Sequence, residues 1–340
     1  MQLKKVIDVG SERSEEVASI NGGVLLLKLL VSVISSVFAV SIMKIHFSES
    51  PQMYVPIVGV VVFYALQPHW LFMASDNMAK IALSSSCGKF LFLFFVLILV
   101  KSDADFILTF YLLMLSNLIS FIFSFVFYYK ICNRWPKYEF QDFAWACRTS
   151  VHYISSRLAT IIPISSPVVI LGAVYTPAAI VGYVAIDQLY KAARGVSGAI
   201  VQALYPFTTK NKEIKFYTQV VLFVSLLISL VCFTFSLFAN DVLFLIFNIS
   251  NSDVNILYVV FLFTVLVSFM SQVFGYPLFS LVDNLEMANY TSYAALLYFV
   301  FVLSWLYYFE LITPLSMALF VLSYEVFFSM IRLFVYFKIK

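Results

Sequence analysis

Residues 181–210 read VGYVAIDQLYKAARGVSGAIVQALYPFTTK. The stretch is apolar and longer than the roughly 20 residues needed to cross a bilayer, yet Asp187, Lys191 and Arg194 lie near its middle. On a helix these three fall at i, i+4 and i+7, which is one face. A charge at bilayer depth costs about 2.5–3.5 kcal/mol on insertion scales, so that face must meet a partner, water or a ligand. Asp187 is spaced to pair with Lys191, which leaves Arg194 with no second acid in the stretch. Gly195 and Gly198 allow another helix to come close. Two readings fit: a salt bridge that ties helices together, and a cavity face with one uncompensated cation.

The rest of the chain makes the membrane reading general. Of its 340 residues, 62% are hydrophobic and 11% charged, against about 25% charged in a soluble domain. The net charge of +3 is small and the cations are scattered, which argues against a nucleic-acid partner. Cys87, Cys132, Cys147 and Cys232 form no CxxC pair, and His46, His69 and His152 do not cluster. This predicts no metal site, no disulfide framework and no cofactor. GxxxxGK[ST], HExxH and GxSxG are all missing, so no familiar enzyme signature is present. The first 21 residues are polar and charged, leaving targeting to the spans themselves.

Length and hydropathy predict about ten spanning helices, near 22–45, 53–75, 80–100, 105–129, 148–172, 178–206, 216–239, 254–281, 288–308 and 311–337. Breakers separate them, among them Glu49-Ser50-Pro51, Asn133-Arg134-Trp135-Pro136, Tyr175-Thr176-Pro177 and Asn251-Ser252-Asp253. The run Asp241–Ile249 is too short to span. Basic residues alternate between loops: Lys4, Lys5 and Arg13, then Lys80, then Lys130, Arg134 and Lys137, then Lys210, Lys212 and Lys215, then Lys338 and Lys340. That alternation puts both termini in the cytoplasm. The longest loop, near 130–147, divides the chain into lobes at 1–135, with four spans, and 136–340, with six.

Other cations fall inside spans. Arg157 sits in a segment rich in hydroxyls and prolines (Ser155, Ser156, Thr160, Pro163, Ser165, Ser166, Pro167), a composition suited to a helix that lines water or bends. Lys28 and Lys89 lie in the cytoplasmic halves of their spans; snorkelling to the headgroups and a place in a cavity both fit. Glu325 is also intramembrane, and Arg332, seven residues on, shares its helical face, which predicts a pairing between them.

Two stretches resemble the polysaccharide flippases of the Wzx O-antigen type, within the multidrug/oligosaccharidyl-lipid/polysaccharide exporter superfamily. The first is QPHWLFMASDNMAKIA at 67–82, where Pro68, Trp70, Phe72, Asp76 and Met78 follow the family pattern; His69 stands where aspartate is usual and Met73 where glutamine is. The second is the opening stretch, through Gly182, Tyr183, Ala185, Asp187, Lys191 and Pro206, with Gln188 at a commonly basic position. The resemblance implies an all-α, MATE-like protein of two six-helix lobes, and this chain would lack the first two helices of twelve. It implies an inner-membrane flippase, not an enzyme, for an oligosaccharide linked to undecaprenyl pyrophosphate. The other readings are an ion-coupled drug antiporter of the same superfamily and a polytopic polymerase or glycosyltransferase. The implied partners are the lipid-linked substrate, membrane lipids, a polysaccharide polymerase and a chain-length regulator. The residues expected to meet an anionic cargo are Arg157, Lys191, Arg194, Asp187, Lys89 and Lys28.

Overall fold

The computed structural model describes residues 14–46, 51–74, 78–247 and 252–340. Asp76, the basic residues Lys4, Lys5 and Arg13, and the breaker residue Asn251 lie outside the described residues. The described residues are helices and the segments that connect them, without strands. The elements are α1 (Ser14–His46), α2 (Tyr54–Ala65), α3 (His69–Ala74), α4 (Met78–Leu99), α5 (Phe106–Cys132), α6 (Phe140–Val174) and α7 (Pro177–Asn211), followed by α8 (Ile214–Leu237), α9 (Ala239–Phe247), α10 (Ser252–Val273), α11 (Tyr276–Ser280), α12 (Glu286–Tyr308) and α13 (Pro314–Ile339). Among the described residues, nine segments are long and apolar enough to cross a membrane. They coincide with nine of the ten expected spans. The tenth is α7, which is long enough but is not apolar enough throughout to count among them.

Local chemistry sets the helix ends. Pro177 and Pro314 occupy first-turn positions, where a missing N–H costs nothing. Thr313 and Ser316 cap α13 reciprocally, with the Ser316 N–H on Thr313 Oγ1 at 3.1 Å and the Thr313 N–H on Ser316 Oγ at 2.8 Å. Asn133 and Lys212 close α5 and α7 in the left-handed conformation (φ 51° and 52°). Before α5, the half-buried Asp105 accepts, through its carboxylate, the N–H groups of Lys101 and Ser102 and the Ser102 hydroxyl. These bonds, the Lys101 amide foremost, hold its pKa below the ordinary carboxylate value. The nine-residue α9 occupies the short run expected not to span.

The chain divides into two compact units, Met1–Val151 and His152–Lys340, with the boundary inside α6. In the first unit α5 packs against α2 and α4. Small residues make the α4–α5 contact close: a Cβ on Gly88 would overlap Ser120 Oγ and lie 2.5 Å from the Ser116 carbonyl. In the second unit α10 packs against α7, α8 and α13, and α13 against α12. Its core joins Tyr183, Ile186 and Tyr190 of α7 to Phe261 and Val265 of α10 and to Tyr324 and Phe328 of α13. The outer faces are apolar, as along α8, where Leu222, Phe223, Leu226, Leu230 and Phe233 are exposed. In water such a surface would aggregate; against lipid tails it needs no cover. On α12, Tyr290 and Tyr308 stand exposed near opposite ends.

Candidate functional site

The charged face of α7 points into the second unit. Asp187 is buried, and its carboxylate forms an ion pair with Lys191 one turn on, at 2.6 Å. The expected i, i+4 pair is therefore present. The lysine side chain keeps 32% of its surface exposed, so the pair is accessible from the lysine side only.

Arg194 differs from its expectation. It is not an uncompensated cation: its guanidinium makes an ion pair with Glu325 of α13, a carboxylate with no exposed surface. The Arg194 Nη1 also donates to the Tyr190 hydroxyl at 3.0 Å, and that hydroxyl donates to Glu325 Oε1 at 3.0 Å. Ser271 of α10 donates to the other carboxylate oxygen at 2.5 Å. One carboxylate thus gathers donors from α7 and α10. The physical reason is depth. The face of α7 that carries Arg194 packs in the core where α13 presents Glu325, and an arginine buried to 17% exposure is stable there only with an opposite charge.

The pairing expected between Glu325 and Arg332 is also replaced. The ion-pair partner of Glu325 is Arg194, while Arg332 donates to the Ser271 carbonyl and lies 3.7 Å over the Phe328 ring. Both arginines therefore converge on Ser271 and Glu325. Tyr190 and Ser271 had no signal in the sequence beyond their place in apolar helices. Glu325 had one, as an acid in an otherwise apolar span.

The remaining candidates sit elsewhere. Arg157 is on the exposed side of α6, on a face shared with Ile161, Ser165 and Val169; Ser156, Ala159, Pro163 and Pro167 face inward. In the first unit Lys28 of α1 donates to the Gln67 carbonyl at 2.8 Å, just past the end of α2. A cation at a helix carboxyl end meets unpaired carbonyls and the negative end of the dipole, so the Lys28 ammonium is held inside the unit. His69 follows two residues later and lies 3.5 Å from Ser85 Oγ of α4. Lys89, one turn beyond Ser85, is exposed. Among the described residues no group of three or more His, Cys, Asp or Glu side chains is placed to hold a metal.

Two units of long apolar helices, with ion pairs inside one of them, define a multi-pass membrane protein of the MATE-like fold. The structure is similar to that of a point mutant of the MATE transporter VcmN from Vibrio cholerae. The TM-score is 0.68 at 16% identity, covering 98% of this chain and 81% of that one. Residues 3–212 match the model of a family described as polysaccharide biosynthesis protein, and the chain belongs to that family. No curated protein sequence matches it. Family and fold together make it a polysaccharide biosynthesis protein with the MATE-like membrane fold.

Proposed function

We propose that the protein flips a lipid-linked oligosaccharide across the bacterial inner membrane by alternating access, with both termini in the cytoplasm. The cargo is an O-antigen unit on undecaprenyl pyrophosphate, and the protein works beside a polysaccharide polymerase and a chain-length regulator. The observation that carries the reading is the α7 face, where Lys191 stays partly exposed beside Asp187 and Arg194 stays within reach of the surface beside Glu325. An anionic head group competes for cations held in this way, because phosphate oxygens replace carboxylate oxygens one for one. Arginine offers two parallel donors and lysine a point charge. The carboxylates beside both α7 cations are already engaged, which disfavours the drug-antiporter reading, since a cationic drug would need a free acid.

The test uses single substitutions in a strain lacking its own flippase, read by surface O-antigen and by protein amount in the membrane. Lys191→Ala and Arg157→Ala are expected to lower surface polymer at least several-fold while membrane amount holds. Arg157→Lys is expected to be milder, because charge survives and only the two-point geometry is lost. Wild-type polymer from all three overturns the reading.

A further inference from the structure

Helix α10 stops at Val273 and helix resumes at Tyr276, so one membrane span is broken over Phe274 and Gly275. The cause is Pro277. It has no N–H, so the Val273 carbonyl four residues earlier has no donor from its own helix. Tyr217 of α8, itself buried, supplies one: its hydroxyl donates to the Val273 carbonyl at 2.8 Å. The Ser271 carbonyl is freed as well, because the Gly275 N–H turns instead to Gln272 at 3.1 Å. Arg332 of α13 takes that carbonyl. Gly275 makes the room, since a Cβ there would lie 2.8 Å from Arg332 Nη1 and 3.0 Å from the Gln272 carbonyl.

Two backbone carbonyls at membrane depth are therefore satisfied by side chains of two other helices. An unsatisfied carbonyl in lipid costs several kcal/mol, so neither donor is dispensable while the span stays broken. A break held by side chains differs from a continuous helix: its bonds can be exchanged without unwinding a turn. We propose that Phe274–Gly275 is a hinge at which α11 moves relative to α10, with Tyr217 and Arg332 as its two latches. Ser271 joins the hinge to the charged cluster, because its hydroxyl is on Glu325 and its carbonyl on Arg332. Motion at the hinge is thereby transmitted to the carboxylate that holds Arg194. The hinge stands on backbone chemistry and is independent of what the cargo is.

Hydrogen–deuterium exchange on the full chain in lipid nanodiscs tests it without any transport assay. Amides at 274–282 are expected to exchange about ten-fold faster than those at 256–266, as a locally opening segment should. Pro277→Ala restores the missing donor and is expected to bring the two segments level. Tyr217→Phe is expected to speed exchange at 274–282 in the wild-type background and to change nothing when combined with Pro277→Ala. Equal protection of the two segments in the unmodified protein overturns the proposal. A Tyr217→Phe effect of the same size in both backgrounds overturns it too. If Pro277→Ala does not yield monodisperse protein, Tyr217→Phe alone decides: faster exchange confined to 274–282 supports the hinge, and unchanged exchange sinks it.

Discussion

Glu325 shows how differently two ion pairs of one helix face read in a sequence. Asp187 and Lys191 are one turn apart, so helical spacing alone pairs them. Arg194 and Glu325 are 131 residues apart, and nothing in either span specifies which helix the other will meet. The same blindness paired Glu325 with Arg332, its nearest cation along the helix. The structural cluster predicts its own energetics. Removing one member of a buried pair leaves an uncompensated charge, at a cost of about 3–5 kcal/mol. Glu325→Ala and Arg194→Ala are therefore each expected to lower the thermal midpoint of detergent-purified protein strongly. The double change Arg194→Met with Glu325→Leu should recover most of that loss, because well-packed apolar residues replace a buried pair at little cost. If the proposed function holds, the double variant is stable and does not export polymer. A further residue-scale prediction concerns Gly275: Gly275→Ala displaces Arg332 from the Ser271 carbonyl. It should reduce stability more than alanine at Gly195, where an added Cβ meets nothing within 4 Å.

At the scale of elements, most boundaries were legible because proline, glycine and polar clusters punctuate apolar runs. The break between α10 and α11 was not. The sequence reads 254–281 as one span, since a proline in a membrane helix is tolerated wherever neighbouring side chains satisfy the freed carbonyls. Those neighbours, Tyr217 and Arg332, become visible only in the fold. Contacts between elements give two further expectations. Gly88→Val should separate α4 from α5, because even a Cβ overlaps Ser120 and the Ser116 carbonyl; size-exclusion profiles of the variant should show less monodisperse protein. Glu310, exposed after α12, adopts the left-handed conformation (φ 54°). That costs a non-glycine residue about 1–2 kcal/mol, so Glu310→Gly should raise the thermal midpoint modestly.

At the scale of the whole molecule, composition alone excluded a soluble protein, and the ordering of apolar runs anticipated the all-helical fold. The candidate site was only partly legible. Sequence found the cations, but not that Arg194 is already engaged or that Lys28 is held on a carbonyl at a helix end. Reporter fusions after Lys215 and after Lys340 are expected to read cytoplasmic and one after Asp253 periplasmic, and a periplasmic signal from the carboxyl tail would reverse that assignment. The exposed tyrosines of α12 add a property of the protein in its lipid. Tyr290 and Tyr308 are five turns apart, hence on one face and about 27 Å from each other along the axis. That separation is close to the roughly 30 Å of a bilayer's hydrocarbon core, and tyrosine rings settle at its two margins. Helix α12 is therefore expected to sit best in a bilayer of about that thickness. In a bilayer much thinner than its tyrosine spacing it must tilt or thicken the lipid around it, which makes lipid chain length an experimental variable for this protein in its own right.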